Sequence, residues 1–95
     1  MSEDEARARL EEYRFLIDDV DRRIVELLNE RTRTVEEIGR VKRAAQLPIY
    51  EPKREDQVFA NVTGVNHGPL SPGAVRRIFE RIIDEMRTIQ RDKMF

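Results

Sequence analysis

Residues Ala6 to Ala45 contain no proline and only one glycine, Gly39. Leu10, Tyr13, Ile17, Val20, Ile24, Leu27 and Leu28 recur there at spacings of three and four, and Val35, Ile38 and Val41 continue the series. This is the pattern of one continuous helix with an apolar stripe. At about 1.5 Å per residue such a helix is roughly 60 Å long, more than a compact domain of this size is wide. One chain covers only part of the stripe, so the pattern predicts pairing with a second copy.

The size of the chain points the same way. With 95 residues it makes a single domain, 1–95, at the lower limit of what buries a stable core unaided, and association is the natural remedy. Charged and hydrophobic residues each make up 39% of the chain, with few aromatics, the balance of a helical bundle with solvated outer faces. The net charge of −1 gives no reason to expect a nucleic acid or an anionic membrane as partner. There is no cysteine and one histidine, His67, so thiol chemistry, disulfides and metal sites built on thiolates or several histidines are excluded. The acidic N-terminus lacks the apolar core of a signal peptide, and no stretch approaches the roughly 20 apolar residues of a membrane span. A soluble, cytoplasmic protein is expected.

The order of elements follows from the punctuation. Met1 to Glu5 read as a frayed acidic lead-in before the first helix, about 6–45. Pro48 closes that helix and leaves Gln46 to Tyr50 as a short connection. A second helix, about 52–65, starts at Pro52, with Glu51 at the N-cap and its carboxylate directed at free backbone amides. Val58, Phe59, Val62 and Val65 form its apolar face. Asn66-His67-Gly68-Pro69 ends it, and His67 is read as a surface turn residue rather than a catalytic one. Ser71-Pro72 caps a third helix, about 72–92, whose stripe is Val75, Ile78, Phe79, Ile82, Ile83, Met86 and Ile89. Gln90 occupies the next position of that face, as a helix end reaching solvent or as a hydrogen-bond donor aimed into a cavity. The fold class is all-α, with a long, a short and a medium helix.

Three of the first helix's cations, Arg14, Arg31 and Lys42, interrupt its otherwise regular apolar pattern. Arg31 falls in the apolar seam, where a cation is either paired in a network or holds an anion, because an unpaired buried charge is too costly. Lys42 follows 11 residues later, about three turns plus 20°, so the two share a face about 16 Å apart along the axis. Arg14 lies about 25 Å before Arg31 and is rotated by roughly 100°. It cannot serve the same small ligand from the same helix, but an antiparallel twofold dimer brings it toward the Arg31 and Lys42 of a second copy. Glu51, Arg54 and Glu55 open the second helix near this region. Such a set suits the binding of a small dianion better than acid-base chemistry.

From about Leu10 to Gln90 the chain resembles the all-helical (AroQ-class) chorismate mutases. The matching stretches are Tyr13-Arg14, Ile17-Asp18-Asp19-Val20-Asp21, Leu27-Leu28-Asn29-Glu30-Arg31, Ile38-Gly39-Arg40-Val41-Lys42, Pro48 to Glu55, and Ile82-Ile83-Asp84-Glu85 with Gln90. The resemblance implies an intertwined homodimer that converts chorismate to prephenate by a Claisen rearrangement, without cofactor, metal or covalent intermediate. Such an enzyme holds the dicarboxylate in its reactive conformer and stabilises charge developing on the ether oxygen.

On this resemblance Arg14 binds a substrate carboxylate in the partner's site, and Arg31 grips a carboxylate in its own. Lys42 bridges a carboxylate and the ether oxygen, and Gln90 is the second donor to that oxygen. Glu55 accepts from the substrate hydroxyl, the backbone near Glu51 assists, and Arg54 stands at the edge. Met86 replaces a small polar residue found in some relatives, which removes or replaces one carboxylate contact.

Three other readings share these residues. The 66–69 turn and the short tail after Gln90 also resemble mutase domains that regulate a fused or associated 3-deoxy-arabino-heptulosonate 7-phosphate (DAHP) synthase. An isochorismate pyruvate lyase shares the fold, although Gln90 with Glu55 favours the mutase. A helical dimerisation module without a site predicts that Arg31 and Lys42 are satisfied by intrachain carboxylates such as Asp21 or Glu55.

Overall fold

The structure is a computed structural model that describes residues 1–93; the last two residues of the expected 1–95 domain lie outside the described residues. Three helices follow in order, α1 (Glu3–Ala44), α2 (Pro52–Gly64) and α3 (Pro72–Lys93), and there is no strand among the described residues. The chain divides into two compact units, Met1–Arg33 and the part from Thr34 onward, with the division falling inside α1.

The first unit is the N-terminal run of α1. It begins at Glu3 rather than Ala6. Ser2 is the reason: its Oγ accepts from the Glu5 amide at 3.1 Å and its carbonyl from the Ala6 amide at 3.0 Å. The acids Glu3, Asp4 and Glu5 are therefore the first helical turn, where negative charge complements the exposed amides, and not a frayed lead-in. Leu10, Tyr13, Ile17, Val20, Ile24 and Leu27 are all exposed along this unit, and Leu28 is half-buried.

The second unit holds the core. α1 stops in an αL cap: the Gln46 amide donates to the Arg43 carbonyl at 3.2 Å and the Leu47 amide to the Lys42 carbonyl at 2.7 Å, with Gln46 at φ 58°. Pro48 follows at once. In α2, Glu51 is non-helical at φ −131°, but its side chain makes no capping hydrogen bond. Its carbonyl accepts from the amides of Arg54 and Glu55, each at 3.1 Å, while its carboxylate is drawn to Lys42. The expected side-chain cap is thus displaced by a stronger charged partner.

α2 and α3 pack through Val58, Phe59 and Ile83, with Val62 and Phe79 against them. The Arg76 guanidinium lies 4.1 Å from the Phe59 ring centroid. Val75 and Met86 are buried, whereas Val65 at the end of α2 and Ile78 on α3 are exposed, contrary to the expected stripes. Val65 is the C-cap residue, past the last turn that faces the core.

Asn66 ties the connection between the two helices. Its Oδ1 accepts from the Gly68 amide at 3.1 Å, and its Nδ2 donates to the Leu70 carbonyl at 2.8 Å. Gly68, at φ 79°, precedes a cis peptide bond to Pro69. Ser71 caps α3 as expected, its Oγ accepting from the Ala74 amide at 3.1 Å.

Candidate active site

The polar groups of the second unit gather where the end of α1, the start of α2 and the last turns of α3 meet. Lys42 sits in the last turn of α1 with its side chain only 12% exposed. Its Nζ lies 2.9 Å from the Ile49 carbonyl, to which it donates, and 2.9 Å from Glu51 Oε1. The short connection forced by Pro48 is what carries Ile49 and Glu51 back over the end of α1. A hydrogen-bonded ammonium with one charged neighbour is a stable way to keep a cation largely out of water.

Gln90 is buried at 7% exposure and donates from Nε2 to the Val35 carbonyl at 3.2 Å. The amide therefore does not end in solvent but lies against α1. Val35 and Lys42 are seven residues apart, about two turns, so they lie on the same side of the helix. The carboxamide donor and the ammonium therefore stand within two turns of each other along α1. Met86, one turn before Gln90, is buried too.

Glu55 and Arg87 complete the group. Arg87 Nη2 donates to Glu55 Oε2 at 2.7 Å, and Nη1 lies 3.4 Å from Asp84 Oδ1. The guanidinium carbon is 5.2 Å from the Tyr50 ring centroid. The hydrogen bond to Glu55 pushes Arg87 above the usual arginine pKa, against the opposing effect of desolvation, with the charges of Glu55, Asp84 and Tyr50 adding to it. Arg54 is exposed and touches Gln57, at 3.4 Å.

Sequence reasoning missed Arg87. The local signal was its place three residues before Gln90, but Glu55 is 32 residues away along the chain.

The first unit carries the remaining candidates. The Arg14 side chain is 65% exposed and 3.6 Å from Glu11, and Arg31 is half-buried. An open depression of about 540 Å³ lined by Glu3, Ala6, Arg7, Leu10, Glu11 and Arg14 lies on this unit. It is a bare helix flank and does not gather the groups described above. His67 is exposed in its turn. Among the described residues no three His, Cys, Asp or Glu side chains are grouped to hold a metal ion, and no helix is long and apolar enough to cross a membrane.

Chemically, the second unit offers a sheltered ammonium, a buried amide donor and an anchored carboxylate, with no histidine or nucleophile between them. These are fixed charges and dipoles suited to holding an oxygen-rich substrate.

An all-helical chain with this polar cluster matches a defined class. Residues 13–91 fit the family model described as chorismate mutase type II, and the chain belongs to that family. Among solved structures it is similar to the chorismate mutase (form II) of Thermus thermophilus, with a TM-score of 0.86 and 37% identity over 88% of this chain and 96% of that one. A conserved hypothetical protein of Pyrococcus furiosus matches with a TM-score of 0.72 and 32% identity, covering 86% of this chain and 95% of that one. Among curated relatives, the bifunctional chorismate mutase/prephenate dehydratase of Aquifex aeolicus is 35% identical over 86 residues, which is 86% of this chain and 24% of that protein. The chain thus spans about a quarter of the length of the bifunctional relatives it matches.

Proposed function

We propose that this chain rearranges chorismate to prephenate as a homodimer, by holding the substrate's reactive conformer and stabilising negative charge on the breaking ether oxygen. The observation that carries the reading is the pairing of two sheltered donors, the Lys42 ammonium and the Gln90 carboxamide, within two turns of α1. An intramolecular rearrangement needs no proton-transfer group; donors set before the reaction stabilise developing charge without reorganising. Glu55, held by Arg87, is the acceptor for the substrate hydroxyl. Arg31 binds a substrate carboxylate, on the resemblance of its sequence stretch. Met86 presents a buried apolar wall, so it contributes shape and no carboxylate contact.

The exposed stripe from Leu10 to Leu27 supports the dimer, since a run of large apolar side chains along one helix face is an interface left uncovered. Arg14, exposed on the same unit, serves the partner's site. The product points to Phe and Tyr biosynthesis in the cytoplasm. Of the relatives named above, that of Aquifex aeolicus carries prephenate dehydratase in its name, and no DAHP synthase is proposed as this chain's partner.

The dimerisation-module reading expects Lys42 to be satisfied by an intrachain carboxylate, and Glu51 takes that place; the Glu51 side chain is half exposed, so an arriving substrate carboxylate can replace it. A bicyclic dicarboxylate that mimics the rearrangement's transition state tests the site. The mimic should raise the thermal midpoint of the wild-type chain and leave Lys42→Ala unmoved. An equal shift in both, or none in either, would remove the assignment.

A further inference from the structure

Arg87 is a strongly engaged polar side chain of the second unit to which the roles above assign no substrate contact. It stands on α3 three residues before Gln90, yet it reaches out of its own helix to the start of α2 and the residues just before it. Nη2 is 2.7 Å from Glu55 Oε2, and the guanidinium lies over Tyr50, the residue before the Glu51 cap, at 5.2 Å. On its own helix Asp84 approaches the other terminal nitrogen at 3.4 Å. The Nε is buried without a hydrogen-bond partner. Leaving a guanidinium nitrogen unsatisfied is costly, so the side chain's placement follows from its terminal nitrogens and from stacking on Tyr50.

The consequence falls on Glu55. A glutamate has three side-chain torsions, and in the first turn of a helix its carboxylate sweeps a wide arc. The Glu55 side chain is 23% exposed, and with Oε2 fixed to Arg87 the carboxylate presents Oε1 as the acceptor. The planar fork of arginine fixes direction as well as distance, which a lysine ammonium does not. We propose that Arg87 is a positioning residue that orients Glu55 toward the substrate hydroxyl. This role rests on the mutase reading above.

Double-mutant kinetics with chorismate test it. Arg87→Met should lower kcat/KM about tenfold, the order expected for losing one charge-assisted hydrogen bond at the substrate, and Glu55→Ala by a similar or larger factor. The double variant should match Glu55→Ala alone, because Arg87 acts only through Glu55. Arg87→Lys keeps the cation and should recover part of the loss, and it serves as the test variant if Arg87→Met does not fold. Losses that multiply in the double variant, or wild-type kinetics in Arg87→Met, would overturn the proposal. A wild-type chain that leaves chorismate unchanged would overturn the functional reading first, before any variant is compared, and this role with it.

Discussion

Lys42 reaches two oxygens at once, the Ile49 carbonyl and the Glu51 carboxylate, each 2.9 Å from Nζ. The two partners differ in kind. Ile49 offers a backbone carbonyl that stays in place, whereas the Glu51 side chain is 51% exposed and easily rotated into solvent. An arriving substrate carboxylate can replace Glu51 without uncovering the cation.

Lys42→Met should therefore lower kcat by about 10²- to 10³-fold, the usual loss when one preorganised donor is removed from developing charge. Glu51→Gln should change kcat/KM by less than about threefold, since half-exposed ion pairs contribute little and the Glu51 backbone is untouched. Steady-state kinetics on both variants checks the contrast; a larger loss in Glu51→Gln would mean that its carboxylate takes part directly.

Gln90→Glu should make turnover acid-dependent. The carboxyl would replace a buried amide that faces the Val35 carbonyl, so burial raises its pKa above the unfolded value of about 4.3. Only the protonated form donates to the ether oxygen. Activity should be highest below the raised pKa and fall as pH rises through it, and a flat pH profile with retained activity would count against this role. Stability follows the same sign: it should decline as pH climbs from the unfolded to the folded pKa, where the unfolded chain releases its proton first.

Arg14→Ala and Lys42→Ala should each be inactive alone and recover activity when mixed. A heterodimer rebuilds one intact site from the unchanged Arg14 of one chain and the unchanged Lys42 of the other, for about a quarter of wild-type activity at equal mixing, since half the dimers are mixed and each holds one of two sites. Failure to complement, with subunit exchange verified by mass, would remove Arg14 from the partner's site.

Gln46→Gly should stabilise the chain by about 0.5–1 kcal/mol, because a side chain at φ 58° carries a steric penalty that glycine lacks. Chemical denaturation reads this directly, with the cost of glycine's greater freedom in the unfolded state bringing the gain toward the lower figure.

The helices were legible wherever the chain carries its own punctuation. Pro48, Pro52 and Ser71-Pro72 place three of the boundaries within a residue or two, because proline and a serine cap act locally. The start of α1 was equally local and was misread: Ser2 with Glu5 three residues on has the form of a capping box, and the Ser2 half of it forms. Glu51 and Arg87 were beyond local reading. The first gives up its capping role because Lys42, nine residues earlier in sequence, competes for the carboxylate. The second takes its meaning from Glu55 on another helix. Helical arithmetic finds which residues share a face, but not which charge wins when two partners compete.

The most direct measurement is to incubate the purified chain with chorismate, without added metal or cofactor, and identify the product by NMR. One equivalent of prephenate per chorismate consumed, abolished in Lys42→Ala, is the predicted result. Unchanged chorismate would contradict the mutase assignment, as would pyruvate as the product from chorismate or isochorismate with no prephenate formed.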